Sequence, residues 1–490
     1  QHAILPVDFN YPILPTLRQN QKRHLLMIKS LLTDELLREP LSIEGEHLTI
    51  DGCDTTKLAE EFGTPLYVTS EQQLRRNVQK WQRVLEEHWT DGPVLLYPSL
   101  KANPIIAVRR ILTEENTGCD IFGPGELECA LRAGVSGEHL SVNGSIKDRG
   151  LIAKAIEAGA RIVLDSPREL IVCNEEAGRL GRKVKVLLRL KPHLGSLDLE
   201  SDFAPGMQVS YLTQIIKYGI PTKEVLEMAQ TINALQNVDL IGVHVHMGRH
   251  SKKPIVWRAW VEACVTLTRQ VADIIGDWTP QVIDVGGGFP SPLDHDPDVA
   301  IIDYATPSVE IFAKTIAETL REALVSNGFS PAGIRLEIEP GRSIHADTGI
   351  HLTRVRNLKS DDVHIQYRWA EVDTAETFID GHGFNLERPA YDYFIANKMG
   401  APNEVLYDIV GQTCNAEILT HQLPAPLLER GDLVAFLNTG AYAEPNAANF
   451  NALPRPGMVL VNDGSAELIR RAETVDDVFA RDLIPARLSN

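Results

Sequence analysis

The chain has 490 residues, a formal net charge of −18 from 48 Lys and Arg against 66 Asp and Glu, and an ordinary 43% apolar and 23% charged content, so it is long enough for two domains or a barrel with an appendage. The acidic balance argues against nucleic acid or an anionic membrane as partner, and no apolar run approaches the roughly 18 residues needed to span a bilayer. The six cysteines, at 53, 119, 129, 173, 264 and 414, form no C-x-x-C pair, and Gln1–Leu17 lacks the basic-then-apolar pattern of an export signal. The expectation is reduced thiols in the cytoplasm, with neither a disulfide framework nor a metal centre.

In chain order, Leu25–Leu37 has helical spacing, and Leu41–Cys53 reads as strands joined by turns at Glu44-Gly45 and Asp51-Gly52. Thr64–Val68 reads as a further short strand. Eight apolar runs then follow: Val94–Leu100, Cys119–Phe122, Leu140–Asn143, Ile162–Asp165, Val184–Leu190, Leu240–His246, Gln281–Val285 and Ile334–Glu339. Between them lie helically spaced stretches at Ile105–Thr113, Glu126–Ala133, Leu151–Ala158, Pro167–Leu180, Thr222–Leu235, Val256–Ile275 and Pro307–Val325. Buried strands alternating with helices signal parallel α/β architecture, and eight of them suit a closed (β/α)8 TIM-type barrel better than an open doubly wound sheet. From about His351 the helical spacing fades. Short β-type runs at Thr377–Ile379, Glu404–Val410, Leu433–Leu437 and Met458–Val461 lie among Gly, Pro and Asn. The domains expected are 1–69 as an N-terminal extension with strands joining the β-domain, 70–345 as the barrel and 346–490 as a C-terminal β-rich domain.

Barrel chemistry gathers where strands end. Those ends carry Lys101, Asp120 with Glu126 soon after, His246, the run Gly286-Gly287-Gly288, and Glu339 followed by Gly341-Arg342. The triple glycine lets backbone N–H groups approach a phosphate, and its place after strand seven suits a barrel phosphate site; alone it is equally a turn. Lys101 is either a rim lysine paired to Asp120 or Glu126, or an amine poised to form a Schiff base. A lysine with a phosphate cradle suggests pyridoxal phosphate (PLP). His246 is then a ring-stacking group rather than a core histidine. Glu339 becomes the partner of the pyridine nitrogen rather than of Arg342.

With Gly63–Val68, Tyr97–Asn103, Gly123–Leu127, Lys217–Ile220, the HxHMG segment, the GGGFP turn, Glu339–Arg342, Gly411–Cys414, Gly440–Tyr442 and Pro454–Pro456 in this order, the chain resembles the fold-type III PLP-dependent decarboxylases. These share an alanine racemase-like barrel, and Phe450-Asn451 before Pro454-Arg455-Pro456 resembles the diaminopimelate decarboxylase branch. The resemblance implies that Lys101 binds PLP covalently, with Asp120 nearby, and that His246 stacks on the ring and Glu339 binds its nitrogen. Gly286, Gly287, Gly288, Gly341, Arg342 and Tyr442 frame the phosphate. It further implies a homodimer in which Cys414 from the neighbouring subunit protonates the carbanion, and in which Arg388 helps bind a substrate carboxylate.

Departures from the family pattern sharpen the expectation. Arg249 stands where the family has Ser at the phosphate, and the segment before Leu41 is longer than the family needs. Asn415 stands where relatives carry the acid that recognises the distal end of the substrate. A neutral amide gains little from an ammonium, so the expected substrate is a modified amino acid, or a basic one held by Asp392, Glu417 or Glu444. Two alternatives stand beside decarboxylation: a PLP-dependent racemase on the same fold, for which Arg at the nitrogen and Tyr in place of Cys are usual, and a non-catalytic regulatory homologue.

Overall fold

The computed structural model describes residues 36–195, 197–202, 204, 206–248, 251–294, 306–379 and 391–488. Eight parallel strands carry the barrel: Val94–Leu96, Cys119–Ile121, Leu140–Val142, Arg161–Leu164, Val184–Lys191, Val238–His244, Val282–Asp284 and Arg335–Ile338. Pairing runs one-eight-seven-six-five-four-three-two, and a parallel bridge between Ser99 and Asp120 spans the gap between the first strand and the second. All eight expected strands and all seven expected helices are present, with ends shifted by a few residues. The racemase-type barrel with a separate β-rich domain is therefore the fold.

Besides short helices outside the barrel such as Thr55–Glu61, two barrel helices longer than one turn went unread in the sequence. Glu71–His88 begins at Ser70, whose side chain accepts from the Gln73 N–H, a cap worth about 1 kcal/mol. Its buried face, Leu74, Val78, Trp81 and Leu85, has the three-to-four spacing that packs a helix on a barrel. Val209–Ile215 is the other. The aromatic packing beneath these helices is dense: Trp257 stacks on Phe289 at 4.3 Å, with Trp81 4.7 Å from the same ring.

Period-two alternation sets what faces the barrel axis. A lower layer holds Tyr97, Arg161, Asp284 and Glu337. Arg161 donates to Asp284 Oδ2 at 3.0 Å, pairs with Glu337 and lies 4.1 Å from the Tyr97 ring. Two residues further along the first and eighth strands, the same parity delivers Ser99 and Glu339, with Asp120, Asn143, Arg189 and His244 at the ends of other strands. The floor is therefore a neutralised ionic plug, and the chemistry sits directly above it.

The β-rich domain is built on Gly349–Asp361, which pairs antiparallel with Leu66–Ser70, Leu433–Phe436 and Tyr367–Val372. Leu66–Ser70 lies between Gly349–Asp361 and Gly457–Asn462, so the chain passes through this sheet before it enters the barrel. Leu41–Glu44 pairs with His47–Ile50 through the anticipated turn, where Gly45 takes φ +64°. Val405–Val410, Leu433–Phe436 and Gly457–Asn462 match three expected runs. The fourth does not match: Glu376–Ile379 is a helical turn, because Glu417 accepts its first N–H and Thr377, Phe378 and Ile379 all pack inward. Helical spacing at Leu25–Leu37 falls almost wholly outside the described residues.

Candidate active site

A cavity of about 410 Å³ opens at the C-terminal ends of the strands. Lys101, Asp120, Phe122, Glu126, Asn143 and Arg189 line it, and Ile216, Tyr218, His246, Gly248 and Glu339 complete the wall.

Lys101 sits in a single 3-10 turn just after the first strand, and its side chain is 40% accessible, into this cavity. Its Nζ donates to Ser99 Oγ at 2.5 Å and faces Asp120 Oδ2 at 3.5 Å, while the Ser99 hydroxyl donates to the same carboxylate oxygen at 2.5 Å. Burial works against its charge, but Asp120 first, then Tyr442, Glu339 and Glu126, hold the amine above its ordinary pKa as an ammonium. Burial likewise disfavours the Asp120 carboxylate, and Lys101 with the bonds from Ser99 and Asn143 more than offsets that. The rim pairing and the nucleophile geometry therefore coexist at one lysine.

Glu339 is buried and held at both oxygens. Asn143 Nδ2 donates to Oε1 at 2.7 Å and His244 Nε2 lies 3.1 Å from Oε2. Burial, then the nearby Asp120 charge, push this carboxyl up to about 8. The salt bridge to Arg342 considered from sequence is not the arrangement: Arg342 pairs with Asp294 at 3.4 Å and faces the Tyr442 ring at 5.5 Å. Glu126 accepts from the Phe122 N–H at 2.5 Å, and burial followed by Asp120 raises it to about 7. His246 takes the Gly248 N–H on Nδ1 at 3.0 Å, which leaves the proton on Nε2.

The glycine run has a packing reason that the sequence did not reveal. A Cβ on Gly286 would lie 2.4 Å from the Val245 carbonyl, and one on Gly287 would lie 2.1 Å from the Glu339 carbonyl. Gly286 and Gly288 also take φ of +73° and +95°. The turn is thus pressed between the sixth and eighth strands, with Gly287 within reach of His246. Gly341 is similarly close to Tyr442, whose N–H donates to the Ala102 carbonyl at 2.8 Å. The phosphate-type residues Gly286, Gly287, Gly341, Arg342 and Tyr442 are in this way tied to the lysine turn and the Glu339 strand.

Two expected substrate-binding positions, Asp392 and Asn415, lie away from this cavity. Asp392 is buried in the β-rich domain and lines a separate small cleft beside Lys398 and Met399. Cys414 and Asn415 are exposed and do not line this chain's cavity; the Cys414 N–H donates to Asn451 Oδ1 at 2.9 Å. Arg388, like Arg249, lies outside the described residues. Glu417 accepts from the Glu376 and Thr413 N–H groups on its two oxygens, whereas Glu444 pairs with Arg470 through Oε1 and its buried Oε2 has no hydrogen-bond partner among the described residues.

His244, Asp284 and Glu339 come close enough for a metal, yet both Asp284 oxygens are engaged, by the Gly286 N–H and by Arg161. Sequence reading missed Ser99, Asn143 and Arg189. Arg189 carried a signal, as a charge inside the apolar run Val184–Leu190; Asn143 carried only its place at the end of a strand.

Residues 71–346 match the family model described as pyridoxal-dependent decarboxylase, pyridoxal binding domain. Diaminopimelate decarboxylase of Methanothermobacter thermautotrophicus is 30% identical over 451 residues, 90% of this chain and 97% of that protein. That of Methanocaldococcus jannaschii is 28% identical over 92% of this chain and 98% of its own length. The crystal structure of the M. jannaschii enzyme in complex with L-lysine matches with a TM-score of 0.80 at 26% identity, over 92% of this chain and 99% of that one.

Proposed function

This chain belongs to the pyridoxal-dependent decarboxylase family and is a PLP-dependent amino-acid decarboxylase; from that premise we propose a role for each residue of the cavity, a shared active site between two subunits, and a substrate other than ordinary diaminopimelate. The relatives are decarboxylases, so the racemase and regulatory alternatives are not favoured.

The residues fit the cofactor. A lysine faces a cavity of suitable size, a buried carboxyl stands on its wall, and the glycine turn packs behind His246 and Glu339 of that wall, with Arg342 and Tyr442 beside Gly341. Bound PLP supplies an aldehyde that condenses with amines and a pyridinium ring that takes up the electron pair left when the Cα–carboxylate bond breaks. Lys101 is the covalent anchor. Asp120 and Ser99 orient its amine, and Asp120 would accept the ammonium proton that must leave before that amine can act as a nucleophile. Glu339 keeps the proton on the ring nitrogen, and His246 covers the ring face. Gly286, Gly287, Gly288, Gly341, Arg342 and Tyr442 receive the phosphate. The observation that carries this reading is the pairing of Lys101 with Asp120, joined through Asn143 to a doubly held Glu339.

Cys414 is the acid that returns a proton to Cα, supplied by the second subunit of a homodimer; its exposure away from this chain's own cavity supports that role. In this reading the chain divides at 70–345 and 346–490, with 1–69 contributing to the β-domain, and Lys101 and Cys414 belong to different domains. A cytoplasmic setting accords with six free cysteines. Among the described residues, no helix is long and apolar enough to cross a membrane.

The substrate is a basic or modified amino acid, with Arg388 at a carboxylate and Asn415 near the distal end. The relatives act on diaminopimelate by name, and Asn415 is what argues for a changed distal group. Carbon dioxide release should be measured over diaminopimelate, lysine, ornithine, acylated diamines and D-forms. A modified substrate is expected to lead. Diaminopimelate turned over far faster than every analogue contradicts this specificity, and release from none contradicts the activity.

A further inference from the structure

We propose that Asn143 and His244 are a pair of positioning residues that fix the two oxygens of Glu339 and thereby set the proton on the cofactor's pyridine nitrogen. The inference rests on the assignment of Glu339 to that nitrogen.

The geometry is specific to Glu339. Asn143 ends the third strand, and one amide nitrogen reaches Asp120 Oδ1 at 2.6 Å and Glu339 Oε1 at 2.7 Å. His244 ends the sixth strand, beside Arg189 in the register, and meets the other Glu339 oxygen. Each side chain leaves a buried atom, Asn143 Oδ1 and His244 Nδ1, without a protein partner among the described residues. An unmet buried polar atom is destabilising, a cost that an apolar residue of similar size would not incur. The two residues are therefore arranged for the carboxyl rather than for packing.

The charge balance has the matching sense. Burial, then Arg189, hold His244 well below its ordinary pKa, so it meets Glu339 as a neutral imidazole, its Nε2–H donating to the carboxylate once that group is ionised. A neutral donor orients the carboxyl without placing a second cation beside the protonated ring nitrogen, as an imidazolium would. The charged groups facing this pair are Arg189, Asp120, Lys101 and Arg161, with Asp284 beside Glu339. Asn143 also links Glu339 to Asp120 and so to the charge on Lys101.

The test uses holoenzyme loaded with PLP labelled with ¹⁵N in the ring. The wild type should give a protonated-nitrogen resonance at neutral pH. In His244→Leu and Asn143→Ala that nitrogen should titrate about one pH unit lower, with kcat down roughly tenfold and KM little changed. His244→Gln, whose amide N–H reaches the same oxygen, should recover most of both. Unchanged nitrogen titration in both variants overturns the proposal, as does failure of the Gln variant to recover. Should His244→Leu not fold, Asn143→Ala on the cavity wall decides. Glu339→Gln separates the levels: if it shifts the nitrogen while the two partner variants do not, this proposal alone falls. If Glu339→Gln shifts nothing, the assignment of Glu339 falls and takes the proposal with it.

Discussion

Glu126 shows how a dry cavity tunes a single carboxyl. Its folded-state value of about 7 stands above the ordinary 4.5, with burial as the main cause and Asp120 second. Between those two values the folded protein holds a proton that the unfolded chain has released, so stability falls as pH rises through that window. We predict that the cofactor-free Glu126→Gln variant loses less melting temperature from pH 5 to 7 than the wild type; parallel curves would contradict the assignment. At this scale the sequence was legible where a residue type was out of place. Lys101, Glu339 and the glycine run announced themselves. Asn143 did not, because an asparagine at a strand end is ordinary until its two carboxylate partners arrive from other strands.

At the scale of elements, the Gly286–Gly288 turn is a structural wedge as well as a candidate phosphate cradle. Only a residue without Cβ permits the Glu339 carbonyl to approach Gly287 so closely. Gly287→Ala should push the eighth strand outward and move Glu339, lowering stability by about 1–3 kcal/mol and weakening PLP uptake, measured by melting and by cofactor titration. Normal melting with normal uptake would show that the turn absorbs the methyl. Strand and helix alternation made the barrel readable because each strand is buried on both faces. The β-rich domain was harder. Gly349–Asp361 alternates irregularly as it changes partners from Leu66–Ser70 to Tyr367–Val372, and Glu376–Ile379 is apolar enough to pass for a strand. Helix Glu71–His88, rich in Gln, Arg and Glu, hid its apolar stripe among polar residues.

At the scale of the whole molecule, Leu66–Ser70 ties the start of the chain into the sheet that ends it, so the barrel leaves and re-enters through the same face of the β-rich domain. Under the proposed shared site, exposed Cys414 and Asn415 on that domain serve the cavity of a second copy. Mixing Lys101→Ala and Cys414→Ala proteins, each inactive alone, tests this. Random exchange of subunits should restore about a quarter of wild-type decarboxylation, because half the dimers are hybrids with one intact site. No recovery under conditions where subunits demonstrably exchange would place Cys414 outside a shared site.

The account as a whole turns on the amine of Lys101. Borohydride reduction of the PLP-loaded protein, followed by peptide mapping, should leave a pyridoxyl group on the peptide that contains Lys101, about one per chain. A label on another lysine, or none at all in protein that still releases carbon dioxide, would contradict it.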